Sequence, residues 1–319
     1  MTIEAGDHNV PCDVADPPFD HSDADLIIRS TSSNVDFPVI KAFLTFASPR
    51  WNGTLTTYSD SQKSTQDMKG GLPVLALEED EETLETLLRL CYPPYAGSGT
   101  FAPEFTTVQR AATVFETARK YSVTVAENAI MQQVTRNFLE TEPMRVFAFA
   151  WRFGMSTEMT QAAKETLRLP LLGRKYVEEM EWISGGSYHH LQEYHVACGQ
   201  AAAVVAEDLQ WLTKESFTWF ECTDCARRDS SAFQVKISGN RSKWVYAKWW
   251  QDYMKAMKSA LNDCPSRHTV QDPDSVEEAL RKACQTCGKC GLRAFKEMRE
   301  FCALLGNAVE EATDKVVPN

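Results

Sequence analysis

Residues 37–49 read Phe37-Pro-Val-Ile-Lys-Ala-Phe-Leu-Thr-Phe-Ala-Ser-Pro49. The opening four, apolar and partly β-branched, predict a strand over 37–40. Lys41 to Ala47 predicts a short helix that Ser48-Pro49 stops. Upstream, Ala24-Asp-Leu-Ile-Ile28 predicts a first strand, and the polar stretch Ser30 to Val35 a hairpin turn between the two. Downstream, residues 56–71 are polar, end in glycine and predict a loop, and Leu72 to Leu77 predicts a third strand. Asp80 opens a helix over 81–92, with acids in its first turn and an apolar stripe of Leu84, Leu87, Leu88 and Cys91. Pro93-Pro94 ends it.

From Thr106 onward the periodicity is helical. Helices are expected at 108–121, with Ala111, Ala112, Phe115 and Ala118 on one face, and at 125–138, 144–153, 158–167, 175–183 and 188–205. No repeat of fixed period is present, which argues against a solenoid or propeller. After Trp211 the style changes. Phe217-Thr-Trp-Phe220 leads directly into Cys222-Thr-Asp-Cys225. A Trp-rich helix over 243–261 follows, then Ser275-Val-Glu-Glu278 as a capping box, a cysteine–glycine turn from Cys284 to Cys290, and a last helix over 292–313. That helix is expected to pack Phe295, Met298, Phe301, Cys302 and Leu305 on one face.

The fold class is therefore α+β: a small sheet capped by helices, then a mostly α-helical region with a cysteine-rich knot. Four segments are expected: a disordered stretch at 1–21, the sheet domain at 22–140, a helical extension at 141–209 and a helical cysteine-rich, zinc-binding region at 210–319. The chain has 319 residues, 43% of them hydrophobic, enough for a real core. No apolar run reaches the roughly 18 residues of a membrane span. The polar, acidic start lacks the pattern of a secretory signal, so a cytoplasmic or nuclear setting is expected. The net charge is −11. Residues 1–209 carry −13 of it and residues 210–319 carry +2, a balance that argues against nucleic-acid binding by the first half.

The words and their order resemble the BTB/POZ family across residues 20–170. Asp25-Leu-Ile-Ile-Arg29 is similar to that family's opening strand, and Phe37 to Leu44 with Ala47-Ser-Pro49 to its F-x-V-H-K-x-x-L…S-P signature, with Ile40 in place of the histidine. Leu72-Pro-Val-Leu-Ala-Leu77 resembles its third strand. Leu84 to Arg89 with Cys91-Tyr92-Pro93, Ala118-Arg-Lys-Tyr121, and Pro143 to Ala150 with Phe153-Gly154 resemble its later segments. The C-terminal half resembles the tails of fungal BTB-domain proteins, through Trp219-Phe220, Cys222/Cys225, Trp249-Trp250 and Cys287-Gly-Lys-Cys290. The resemblance implies a non-enzymatic adaptor that binds other proteins. It would homodimerise through the Asp25 strand and the Lys41–Leu44 helix, or contact a cullin-type ubiquitin ligase scaffold.

Seven of the ten cysteines lie after residue 220. In a reducing compartment, paired cysteines at C-x-x-C spacing are more often metal ligands than disulfides. Zinc takes four such thiolates in a tetrahedron, so Cys222, Cys225, Cys287 and Cys290 are the expected ligands of a structural Zn2+. Cys284-x-x-Cys287 is a rival second pair, favoured less by the Cys-Gly resemblance, and Cys264-x-x-x-His268 is a further donor pair. The bland reading is a set of free buried thiols; a redox C-x-x-C would need a βαβ context. His189, His190 and His195 near Glu193 and Cys198 are by default solvent-facing or packed, Trp249-Trp250 core, and Cys302 a small hydrophobe. No nucleophile elbow or phosphate loop appears. A transcriptional or chromatin factor and a thiol or metal enzyme are the competing functions.

Overall fold

The computed structural model describes residues 13–60, 67–93, 103–212, 216–228 and 246–318. The chain divides into two compact units, Met1–Thr141 and Glu142–Asn319. It is mixed α/β, and among the described residues no helix is long and apolar enough to cross a membrane.

Unit 1 contains β1 (Asp13–Val14), β2 (Leu26–Ser30), β3 (Val35–Val39), α1 (Lys41–Ala47), α2 (Pro49–Asp60), β4 (Met68–Lys69), β5 (Leu72–Leu77), α3 (Glu81–Cys91), α4 (Val108–Lys120) and α5 (Thr124–Phe138). The strands form one curled sheet in the order β1-β3-β2-β5-β4. The expected hairpin pairs Leu26 with Val39 and Ser30 with Val35, around a turn in which Asn34 takes a left-handed backbone (φ 56°), a conformation asparagine tolerates. β2 also runs parallel to β5, so both its hydrogen-bonding edges are occupied. That makes β2 the central strand and explains its continuous, non-alternating burial. Leu26, Ile28, Phe37, Val39 and Leu44 are fully buried.

Two expectations for this unit need correction. Residues 13–21 are not loose: β1 pairs with β3, and Phe19 is fully buried, its ring edge-on to Phe37 and Tyr92. Arg89 secures the approach by donating to the Pro17 carbonyl at 2.7 Å. Residues 1–12, with Cys12, lie outside the described residues. The loop expected over 56–71 is helical to Asp60, Met68–Lys69 form β4 and residues 70–71 the turn into β5, while residues 61–66 lie outside the described residues. Ser48-Pro49 does end α1, but it also starts α2. Ser48 Oγ accepts from the amides of Arg50 and Trp51, and proline suits the first helical position. Trp51 and Leu55, one turn apart and both buried, then hold α2 to the core. Asp80 caps α3 as expected, accepting from the Thr83 amide at 2.9 Å.

Unit 2 is built of helices, with no strand among its described residues. It holds α6 (Pro143–Arg152), α7 (Ser156–Thr166), α8 (Gly185–Glu207), α9 (Thr218–Glu221), α10 (Thr223–Arg228), α11 (Lys248–Asp263), α12 (Arg267–Val270), α13 (Pro273–Thr286) and α14 (Gly288–Asp314). The helix expected over 175–183 shrinks to a 3-10 segment at Glu178–Trp182, where buried Glu179 accepts two hydrogen bonds from Arg145 at 2.6 Å each. The helical extension and the cysteine-rich region share one core: Ala202, Ala206 and Leu209 belong with Trp219, Trp250 and Leu305. α8 lies so close to α11 that a Cβ on Gly199 would sit 2.4 Å from the Asn262 carbonyl oxygen.

The capping box expected at Ser275 is displaced. α13 begins three residues earlier, with Asp272 as its cap accepting from the Ser275 amide and Pro273 at the first position. The expected turn over 284–290 narrows to Cys287 alone, the residue between α13 and α14. On α14 the packed face runs through Cys290, Ala294, Met298, Phe301, Cys302 and Leu305, and Phe295 is 62% exposed rather than packed. It stands one residue, about 100°, away from Ala294 on the helix.

Candidate metal centre

The sulfurs of Cys222, Cys225, Cys287 and Cys290 all lie within 4.8 Å of one another. Cys222 Sγ is 3.7 Å from Cys287 Sγ, and Cys225 Sγ is 3.5 Å from Cys290 Sγ. Both C-x-x-C words are built alike. The first cysteine precedes a helix, α10 or α14, and the second sits in its first turn. The two helix starts face each other, so each short word contributes two sulfurs to one small volume.

What brings words 65 residues apart together is the α9–α14 packing. Phe217 stacks on Trp219, whose ring meets Phe301 of α14 edge-on at 5.4 Å and Trp250 of α11 face-on. These rings, immediately before Cys222, anchor the first word in the core. A polar seam then sets its register along α14. Glu297 accepts from the Thr218 amide at 2.5 Å, Arg293 pairs with Glu221 at 3.2 Å, and Lys289 pairs with Asp224 at 3.0 Å. Positions 289, 293 and 297 lie on one helix face at four-residue steps and meet 224, 221 and 218 in reverse order. The exposed pairs add little energy individually, but together they fix which residues of the two segments are opposite.

The thiols differ in their surroundings. The amides of Cys290 and Lys289 face Cys287 and, with the neighbouring thiols and against some burial, hold it down to about 7. Burial, reinforced by Cys222 and Cys287 and opposed by the hydrogen bond with Cys225, pushes Cys290 up to about 11, and burial together with Cys290 and Cys222 raises Cys225 well above an ordinary thiol. Four thiolates this close would repel strongly, and a cation at their centre removes that repulsion. A tetrahedral ion with metal–sulfur bonds of about 2.3 Å places its sulfurs about 3.8 Å apart. The short observed separations fall near that spacing and well beyond the roughly 2 Å of a disulfide. The four residues therefore could hold a metal ion.

The alternative donors are elsewhere. Cys284 is exposed on the last turn of α13, its sulfur against Gly291, and is not part of the quartet. Cys264 ends α11 half-buried and His268 is exposed; neither joins a donor group among the described residues. His189 and His190 are exposed beside Glu193. His195 is buried, 1% exposed, with Nδ1 2.8 Å from Arg174 Nη2 and Nε2 2.7 Å from the Asp263 carbonyl. Arginine and carbonyl require Nδ1 to accept and Nε2 to donate, which is the neutral ring. His195 thus ties α8 to the end of α11. Trp249 and Trp250 are core residues, and Cys302 is buried against the Tyr253 hydroxyl at 3.5 Å. The seam residues Asp224, Glu221, Lys289 and Arg293 were missed in the sequence. Their only signal there is opposite charge at three- and four-residue steps. The chain matches no family model and no curated protein.

Proposed function

We propose that this chain is a non-enzymatic protein-docking adaptor: a BTB/POZ-like scaffold in unit 1, and a helical unit 2 pinned by a structural zinc ion on Cys222, Cys225, Cys287 and Cys290. Zinc fits the donor set because four thiolates in a tetrahedron are its characteristic structural site. Such a shell is full, leaving no position for substrate. The order of strand hairpin, helices, strand and helices up to Tyr121 supports the scaffold reading.

The observation that carries docking is Phe46. It stands on α1, next to the quoted strand–helix word, and is 91% exposed. A phenylalanine so exposed on a short helix offers an aromatic anchor of the kind that a partner's surface covers. Docking would run through α1 and not through the strand beginning at Asp25, since both edges of β2 are already paired. The partner is a second copy or a cullin-type scaffold. Sedimentation velocity of the purified chain, alone and with the N-terminal region of a cullin, tests this. Wild type should form one of the two complexes and Phe46→Asp should weaken it at least about tenfold. A chain that stays monomeric and binds no cullin, or a complex indifferent to Phe46→Asp, would sink the reading.

A further inference from the structure

α13 and α14, joined through Cys287, pack side by side and leave a hollow of about 750 Å³ between their outer faces. Its floor is apolar, with Val276 and Leu280 from α13, and Phe295 of α14 stands on its wall. Leu292, one turn before Phe295, is 88% exposed. This face shares no residue with the thiol quartet.

The charges around the hollow indicate what would cover it. Arg281 is already paired with Glu278, at 2.8 Å through two nitrogens, a carboxylate it shares with Lys282 at 3.3 Å. Glu277 on the α13 wall and Arg299 on the α14 wall both line the hollow. Neither has an ion-pair partner among the described residues. One face therefore offers a protruding apolar stripe and a cavity to receive it, together with one cation and one anion left unpaired. A foreign acidic or basic segment would satisfy only one of the two charges. A copy of the same face satisfies both, because a two-fold axis repeats every contact.

We infer that the α13–α14 face is a second self-association surface, in which Phe295 of each copy enters the other's hollow and Arg299 of each meets the other's Glu277. The inference is independent of docking through Phe46.

Sedimentation equilibrium of the full chain in a Phe46→Asp background isolates this contact. The background protein should still dimerise, and Phe295→Asp should weaken that dimer at least about tenfold. Glu277→Arg and Arg299→Glu should each weaken it several-fold, and the double exchange should restore it, since the two-fold pair then re-forms with reversed signs. These positions are exposed, and thermal unfolding checks that each variant folds. A monomer up to about 100 μM in the Phe46→Asp background would overturn the inference while leaving docking through α1 standing. Dimerisation unchanged by Phe295→Asp, or single charge reversals that the double exchange does not rescue, would overturn it as well.

Discussion

Cys225 Sγ lies 3.5 Å from Cys290 Sγ across 65 residues of sequence, with Cys222 and Cys287 making the parallel contact at 3.7 Å. Neither C-x-x-C word could hold an ion alone. The site exists only when α9 and α10 have docked on α14, so metal affinity and the folding of unit 2 should be one equilibrium.

The purified chain should accordingly carry about one zinc per molecule by elemental analysis. Cys225→Ser or Cys290→Ser should abolish it, while Cys264→Ser and Cys284→Ser leave it intact. A strong chelator should lower the unfolding temperature of wild type and leave the metal-free variants unmoved. The coupling is large, on the order of 10 kcal/mol for a structural zinc site, so the shift should be easily read. Zinc retained by Cys290→Ser, or lost from Cys284→Ser, would reassign the ligands.

Glycine at position 199 is demanded by geometry: a Cβ there would meet the Asn262 carbonyl oxygen at 2.4 Å and its carbon at 3.2 Å. The obstacle is backbone, which cannot rotate away as a side-chain tip can. Gly199→Ala should force α8 from α11 and cost about 2–3 kcal/mol, despite alanine's better helix propensity. Gly185→Ala on the same helix, with nothing within 4 Å, is the control and should be close to neutral. Thermal unfolding of the two variants compares them directly.

How much of this could be read in advance depends on how local the physics is. The β2–β3 hairpin, the stop at Ser48 and the Asp80 cap rest on neighbouring residues, and the words at 24–49 and 80–83 carry them. α2 was hidden because Asn52, Gly53 and its threonines form helices poorly; Trp51 and Leu55 win through tertiary burial that no local pattern displays. At α13 the Asp272-Pro273 start competes with a similar-looking Ser275-x-x-Glu278, a conflict between two valid capping signals. The quartet shows the same division. Each C-x-x-C is legible, but the choice of Cys290 over Cys284 depends on where α13 ends and α14 begins, and the seam from Thr218 to Lys289 depends on packing.

Asp36 offers a test in unit 1. Its side chain is 1% exposed and accepts from Arg29 at 2.6 and 3.0 Å and from Lys69 at 2.7 Å. Burial opposes its charge, but the two hydrogen-bonded cations prevail and hold the carboxyl below its ordinary 3.8. A carboxyl lowered by folding stabilises the fold above that ordinary value, and the contribution is lost as pH falls through the folded value. Asp36→Asn should cost about 2–3 kcal/mol at neutral pH, much of it from removing the charge to which Arg29 and Lys69 both donate. Denaturant titrations should show the gap between wild type and variant constant from neutral pH to about 5 and closing below 4. A gap that persists undiminished into strong acid would show that shape, not charge, is what Asp36 supplies.

His195 should give unit 2 a pH dependence at milder acidity. Burial lowers its basicity, the Asp263 carbonyl works in the opposite direction, and the Arg174 charge adds to the lowering. The unfolded ring, with its ordinary value of 6.5, then binds a proton more readily than the folded one. Stability from this residue is therefore complete above 6.5 and declines as pH falls below it, because the imidazolium can no longer accept from Arg174. Glutamine cannot titrate, and it loses part of the bridge between Arg174 and Asp263. His195→Gln should be less stable than wild type at pH 8 by about 1–2 kcal/mol. The deficit should shrink as the pH is lowered toward 5, since only the wild type pays for protonation. Following both proteins by denaturant unfolding at fixed zinc removes the metal's own pH dependence from the difference. Parallel curves from pH 8 to pH 5 would mean that folding does not lower the basicity of the ring.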